Sequence, residues 1–144
     1  MFGWNTNQDL IEAAKYVSKR MGLPVYNIVP PPRGMFCGIP RKLDIGPCEF
    51  LSMIKHAEFV VTNSFHGTAF STTFEKPYVS IVTGKADTRM YSLLDQLGLA
   101  DHLVTKDNLD VDKMLATDFL PIRDKKVALR QTSFDFIKSS LKGL

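Results

Sequence analysis

The apolar positions of this chain change period several times, and each change marks a boundary. Over residues 7–21, Leu10, Ile11, Ala14, Val17 and Met21 fall near helical spacing, which predicts an amphipathic helix. Asn7 is placed to cap it and Gly22 to stop it. Residues 24–29, PVYNIV, are β-branched and apolar, and predict a short strand. Residues 30–46, PPPRGMFCGIPRKLDIG, carry the prolines and glycines of an irregular loop. A loop of that length inside a compact domain is usually functional or mobile.

Helical spacing returns at residues 47–57. Pro47 suits a first helical turn, Glu49 suits the positive end of the helix dipole, and Phe50, Leu51, Ile54 and Ala57 form the stripe. Residues 59–62 are a continuous apolar strand, and SFHG then opens a helix running to about Phe74, where Lys76 and Pro77 break it. YVSIV at 78–82 predicts a further strand. A helix over 87–97 carries Met90, Leu93, Leu94 and Leu97 on one face and ends at Gly98. A small strand at 102–104 and a short helix at 110–116 follow. A terminal helix over 122–142 is expected to turn Val127, Phe134, Ile137 and Leu141 inward. Short strands alternating with helices imply βαβ units and a parallel sheet. The expected fold class is α/β, a Rossmann-like sheet in three layers, as one domain over residues 1–144.

Composition narrows the function. The 144 residues are 44% hydrophobic and 23% charged, enough for a real core. A formal charge of +3 is too mild for a nucleic-acid binder but leaves cations for a small anion. Cys37 and Cys48 have no CxxC partner, and no carboxylate or histidine set has metal-ligand spacing, so neither a metal nor a bound cofactor is expected. Scarce cysteine and the lack of an apolar run of membrane length suggest a reduced, cytoplasmic protein. MFGWNTNQDL has no leader pattern and enters a helix almost at once, as expected of a domain taken from a longer protein.

The chemistry concentrates at EFVVTNSFHGTAFSTTF, residues 58–74. In open parallel sheets ligands sit beyond the carboxyl ends of strands, and this turn lies at such an end. A helix starting there offers free N–H groups to a phosphate or carboxylate. Ser64 or Asn63 can cap it, Gly67 lets a ligand approach the backbone, Thr68 and Ser71 add hydroxyls, and His66 can move a proton. The plainer alternative is an ordinary capped helix with a surface histidine. Arg89 offers a planar fork for an anion, or else pairs with Asp87 or Asp95. Glu49 is an acid–base candidate, or else only a dipole partner. Arg41 and Lys85 are loop cations able to close over the site, or else solvated charges. Phe65 and Phe70 are expected in the core, and His56 and His102 are expected to do nothing chemical.

Four blocks carry a resemblance: GPCEFL at 46–51, EFVVTNSFHGTAFS at 58–71, KPY at 76–78, and DTR at 87–89 followed by SLLDQLGL at 92–99. In order and spacing the chain resembles the polysaccharide pyruvyl transferase family over roughly residues 5 to 140, the C-terminal half of a usual member. The resemblance implies a glycosyltransferase B-type architecture of two Rossmann-like domains, with the N-terminal domain absent here. It implies transfer of pyruvate from phosphoenolpyruvate to a carbohydrate acceptor in cell-surface polysaccharide synthesis, as a ketal bridging two hydroxyls. The motif histidine, His66, is expected at the donor's phosphate or carboxylate. Some members carry an arginine two positions earlier, where this chain has Ser64. On this reading His66 and Glu49 are catalytic, and Ser64, Gly67, Thr68, Arg89, Lys85 and Arg41 bind substrate. The fragment is expected to be inactive alone, to sit in the cytoplasm or at the inner face of the membrane, and to be open to pairing with a second copy. The alternatives are the C-terminal domain of a nucleotide-sugar glycosyltransferase and a non-catalytic interaction module.

Overall fold

The computed structural model describes residues 8–28, 37–42, 44–82 and 88–141. Six helices and three strands follow in the order α1 Gln8–Met21, α2 Pro47–His56, β1 Val60–Thr62, α3 Phe65–Thr73, β2 Tyr78–Ile81, α4 Thr88–Leu97, β3 Leu103–Val104, α5 Val111–Leu115 and α6 Leu120–Leu141. The strands form one parallel sheet in the order β1-β2-β3, with Val61 opposite Val79 and Ser80 opposite Leu103. The fold is therefore α/β.

Alternation along the strands splits the core in two, because successive side chains point to opposite faces. Val61, Val79 and Ile81 pack with Leu10, Ala14 and Val17 of α1 and with Val111 and Met114 of α5. Val60 and Tyr78 pack on the other face with Ile54 of α2, Met90, Leu94 and Leu97 of α4, and Ile122 of α6. Helices thus cover both faces, and β1 and β2 are buried throughout. The element ends follow local chemistry. Pro47 opens α2 behind an extended Gly46. Gly98, at φ 73°, closes α4, with the Leu99 amide reaching back to the Leu94 carbonyl.

Helix α3 closes differently. The amides of Glu75 and Lys76 bond the carbonyls of Thr72 and Ser71, a closure that places Glu75 at φ 56°, where glycine is usual. The Glu75 carboxylate takes a forked pair from Arg123 (Nη2 to Oε2 at 2.6 Å) and a bond from Lys126 at 3.2 Å, both on α6. These contacts hold the side chain over the strained turn.

Two expectations fail. Residues 24–28 form no strand in the sheet. Among the described residues their one ladder contact is an isolated bridge between Asn27 and Arg41, and the Asn27 amide and carbonyl bond Pro40 and Lys42 instead of β1. The Asn27 side chain is fully buried and points its amide at the Cys37 sulfur, which ties the segment to the following loop. In α6, Val127, Phe134, Ile137 and Leu141 do not turn inward; they are 66%, 44%, 50% and 60% exposed. Ile122 and Leu129 face the domain instead, so the helix has two apolar stripes and only one is covered here.

His102 proves structural. It is buried, its ring lies 4.3 Å from that of Tyr78, and its Nδ1 is 2.9 Å from the Tyr78 carbonyl oxygen. A carbonyl only accepts, so Nδ1 carries the proton and Nε2 accepts from the Thr117 hydroxyl at 3.1 Å. Burial holds this imidazole neutral, below its ordinary pKa of 6.5, against the pull of the Tyr78 carbonyl.

Both groups give pH predictions. The Glu75 carboxyl is drawn down from 4.5 to about 2, chiefly by Arg123. Its stabilisation is present above about pH 4.5 and is lost as pH falls toward about 2. Glu75→Gln should cost about 1 kcal/mol at pH 7 once solvent screening is allowed for, and urea midpoints of the two proteins should converge in strong acid. For His102 the unfolded chain takes up the proton first, so stability should fall as pH drops below about 6.5. His102→Gln should flatten that slope in urea titrations between about pH 6.5 and 5; an unchanged slope would place the proton uptake elsewhere.

Candidate functional site

The site begins where β1 ends. Thr62 Oγ1 accepts the Ser64 amide at 3.1 Å, a tight turn that delivers the chain into α3. Ser64 occupies the N-cap position in extended backbone but makes no side-chain cap bond, contrary to the expected capping role. The first-turn amides therefore receive no acceptor from the cap, and they lie at the carboxyl end of a parallel strand. Ser64 is itself buried, and its carbonyl accepts both the amide and the hydroxyl of Thr68.

The inner face of α3 is a seam of hydroxyls. Thr68 is fully buried; its Oγ1 lies 2.7 Å from Ser80 Oγ on β2 and 3.0 Å from the Met90 sulfur on α4. Ser71 and Thr72 donate to the Gly67 and Thr68 carbonyls, and Thr72 also meets the Tyr78 hydroxyl at 2.8 Å. Burial pushes that phenol far above its usual range, so it stays protonated. The Thr68 hydroxyl, expected to face a ligand, is thus engaged inside, and Gly67 is also buried.

His66 points the other way and is exposed. Its ring meets the Phe65 ring edge-on, with centroids 5.9 Å apart. The Arg89 guanidinium, from the first turn of α4, stands over the same Phe65 ring at 5.3 Å. Phe65 is partly buried against the core and so brings an imidazole and a guanidinium to one ring beside the start of α3. This role was missed in the sequence because Phe65 reads simply as core; an aromatic between a turn and a histidine is the only signal. Phe70 is also partly buried and packs edge-on with Phe50 of α2.

The other candidates lie apart from this cluster. Glu49 curls back over Gly46, so closely that a Cβ there would sit 2.7 Å from its Oε2. It lines a shallow hollow with Lys42, Asp44 and Ser52 that does not include His66. That is the posture of a first-turn dipole partner. Arg41 is half-buried and bridges Asn27. Lys85 and Asp87 lie outside the described residues. His56 turns its Nδ1 to the Ser52 carbonyl at 2.8 Å.

The polysaccharide pyruvyl transferase family model matches residues 3–84, more than half the sequence. The chain belongs to that family. The match takes in the α2 start, β1 and the whole of α3, while the segment carrying Arg89 lies beyond it. No curated protein and no solved structure matches the chain. Membership makes this a chain of a transferase family, and no helix among the described residues is long and apolar enough to cross a membrane.

Thr68→Val keeps the shape of the side chain and removes its hydroxyl bonds. It should cost on the order of 1–3 kcal/mol by leaving buried partners unpaired. Pairing it with Ser80→Ala should cost less than the sum of the two single changes, measured as a double-mutant cycle in urea.

Proposed function

We propose that this chain is the donor-binding half of a polysaccharide pyruvyl transferase and takes phosphoenolpyruvate at the start of α3. The observation that carries the reading is the grouping of His66 and Arg89 on the Phe65 ring at the start of α3, which has no side-chain cap; Phe65 and His66 lie inside the segment that the family model matches, and Arg89 lies just beyond it. Phosphoenolpyruvate carries a phosphate and a carboxylate close together. The helix start supplies N–H donors and a positive dipole end for one anionic group. Arg89 supplies a fork for the other. Gly67 and Ser64 shape the backbone there, and Arg41 and Lys85 are the loop cations proposed to close over the donor.

Ketal formation adds two sugar oxygens to the central carbon of the donor. Its methylene gains a proton and becomes a methyl group, the two hydroxyls lose theirs, and phosphate departs. His66, exposed at the start of α3, is proposed as the group that moves a proton, with Glu49, which lies in a separate hollow, as a second acid–base candidate. A small parallel sheet covered on both faces supports a Rossmann-like domain of a glycosyltransferase B-type pair, whose other member would bring the carbohydrate acceptor. With a phosphorylated metabolite as donor, the step is proposed to run in the cytoplasm or at the inner face of the membrane.

Phosphoenolpyruvate should raise the melting temperature of the 144-residue chain, and His66→Ala or Arg89→Ala should abolish the rise. A ligand at a hundred times its dissociation constant adds about 2.7 kcal/mol, which such a scan resolves easily. A UDP-sugar should give no shift. A shift with the UDP-sugar and none with phosphoenolpyruvate would replace this reading with the glycosyltransferase one.

A further inference from the structure

Helix α6 carries a second apolar stripe that the domain does not use. Leu120, Val127, Phe134 and Leu141 recur at every seventh residue, joined by Ile137, and all five are exposed. The covered stripe, Ile122 and Leu129, lies on another side of the helix, where Lys125 and Lys126 bond the Leu97 carbonyl and Glu75. The 22-residue helix is thus held to the domain through its first half, up to Leu129, while residues 130–141 are exposed on all sides and the apolar seam runs the length of the helix. A seven-residue repeat is the period at which two helices can follow each other.

We propose that this seam pairs with the same seam of a second copy, antiparallel, about an axis near Gln131. The charges choose the partner and the direction. Setting Gln131 against Gln131 of the other copy puts Asp124 opposite Lys138 and Lys138 opposite Asp124. In that register Val127 stands two residues, about 3 Å, from the level of Ile137 of the other copy, and Phe134 the same distance from Arg130, close enough for side-chain contact. Within one chain Arg130 already stands over the Phe134 ring at 5.3 Å, so the contact reuses a compatible pair. A parallel pairing would instead bring Arg130 against its own copy, at a cost in like-charge repulsion. The two-fold symmetry makes the surface self-complementary.

Sedimentation or light scattering of the whole chain should show a dimer at micromolar concentration, and Val127→Glu with Phe134→Glu should give a folded monomer by circular dichroism. Asp124→Lys and Lys138→Asp should each weaken the dimer, and the two together should restore it; loss of packing alone would not be rescued by the swap. In a Cys48→Ser background, which removes the exposed native thiol, Gln131→Cys should cross-link to itself on mild oxidation. A monomeric wild-type chain, a charge swap that fails to restore association, or a monomer that binds anionic lipid vesicles through this face would overturn the proposal.

Discussion

The hydroxyl seam between α3 and β2 is the contact on which the rest of the site depends. Threonine and serine are poor interior helix residues because their hydroxyls compete for backbone. Here that competition is put to use. Thr68, Ser71 and Thr72 bond carbonyls of their own helix, and Thr68 and Thr72 also reach Ser80 and Tyr78 on the sheet. The Thr62 to Ser80 register sets the height of Ser80 under the helix. Through Tyr78 the network continues to His102 and Thr117. A helix held this way cannot slide along the sheet without breaking several buried bonds at once, so the position of its first turn is fixed.

That fixed inner face explains why the outer face can be chemical. Small hydroxyl side chains let α3 lie close on the sheet, and the bulky groups Phe65, Phe70 and Phe74 pack sideways toward α2, α4 and the rest of that core. His66 is left at the rim. Its ring is steadied by Phe65 rather than by a buried hydrogen bond, and Arg89 arrives at the same aromatic surface from α4. The imidazole and the guanidinium thus meet on one apolar side chain near the helix start.

Much of this was legible in the sequence, for identifiable reasons. The switch from the apolar run at 59–62 to SFHG marked the strand end and helix start within a residue or so, because the period changes there and Ser64 sits where caps sit. Direction was harder to read. Val127, Phe134, Ile137 and Leu141 share a face, and periodicity reports that a face is apolar but not what covers it. The 24–28 segment has strand composition, yet the buried Asn27 side chain commits its backbone to residues 40–42. Composition contained the propensity, and one polar side chain decided the partner. Thr68 was misjudged in a related way: a hydroxyl one turn into a helix faces a ligand or the sheet depending on its angle, and here Ser80 and Met90 claim it.

The two ends of α3 bear on two different surfaces. Its first turn carries His66, and its last closes through Glu75, whose left-handed backbone is held by Arg123 and Lys126 of α6. Nine helical residues separate these ends by only about 13 Å. Helix α6 therefore supports the same short rod that sets the candidate site, and a load on α6 from a partner would reach Glu75 first. The rod's own seam of buried hydroxyl bonds resists such a displacement, because moving Thr72 disturbs Tyr78 and moving Thr68 disturbs Ser80. Under the proposed pairing, contact at α6 would leave the first turn of α3 in place, with packing rather than motion linking the two.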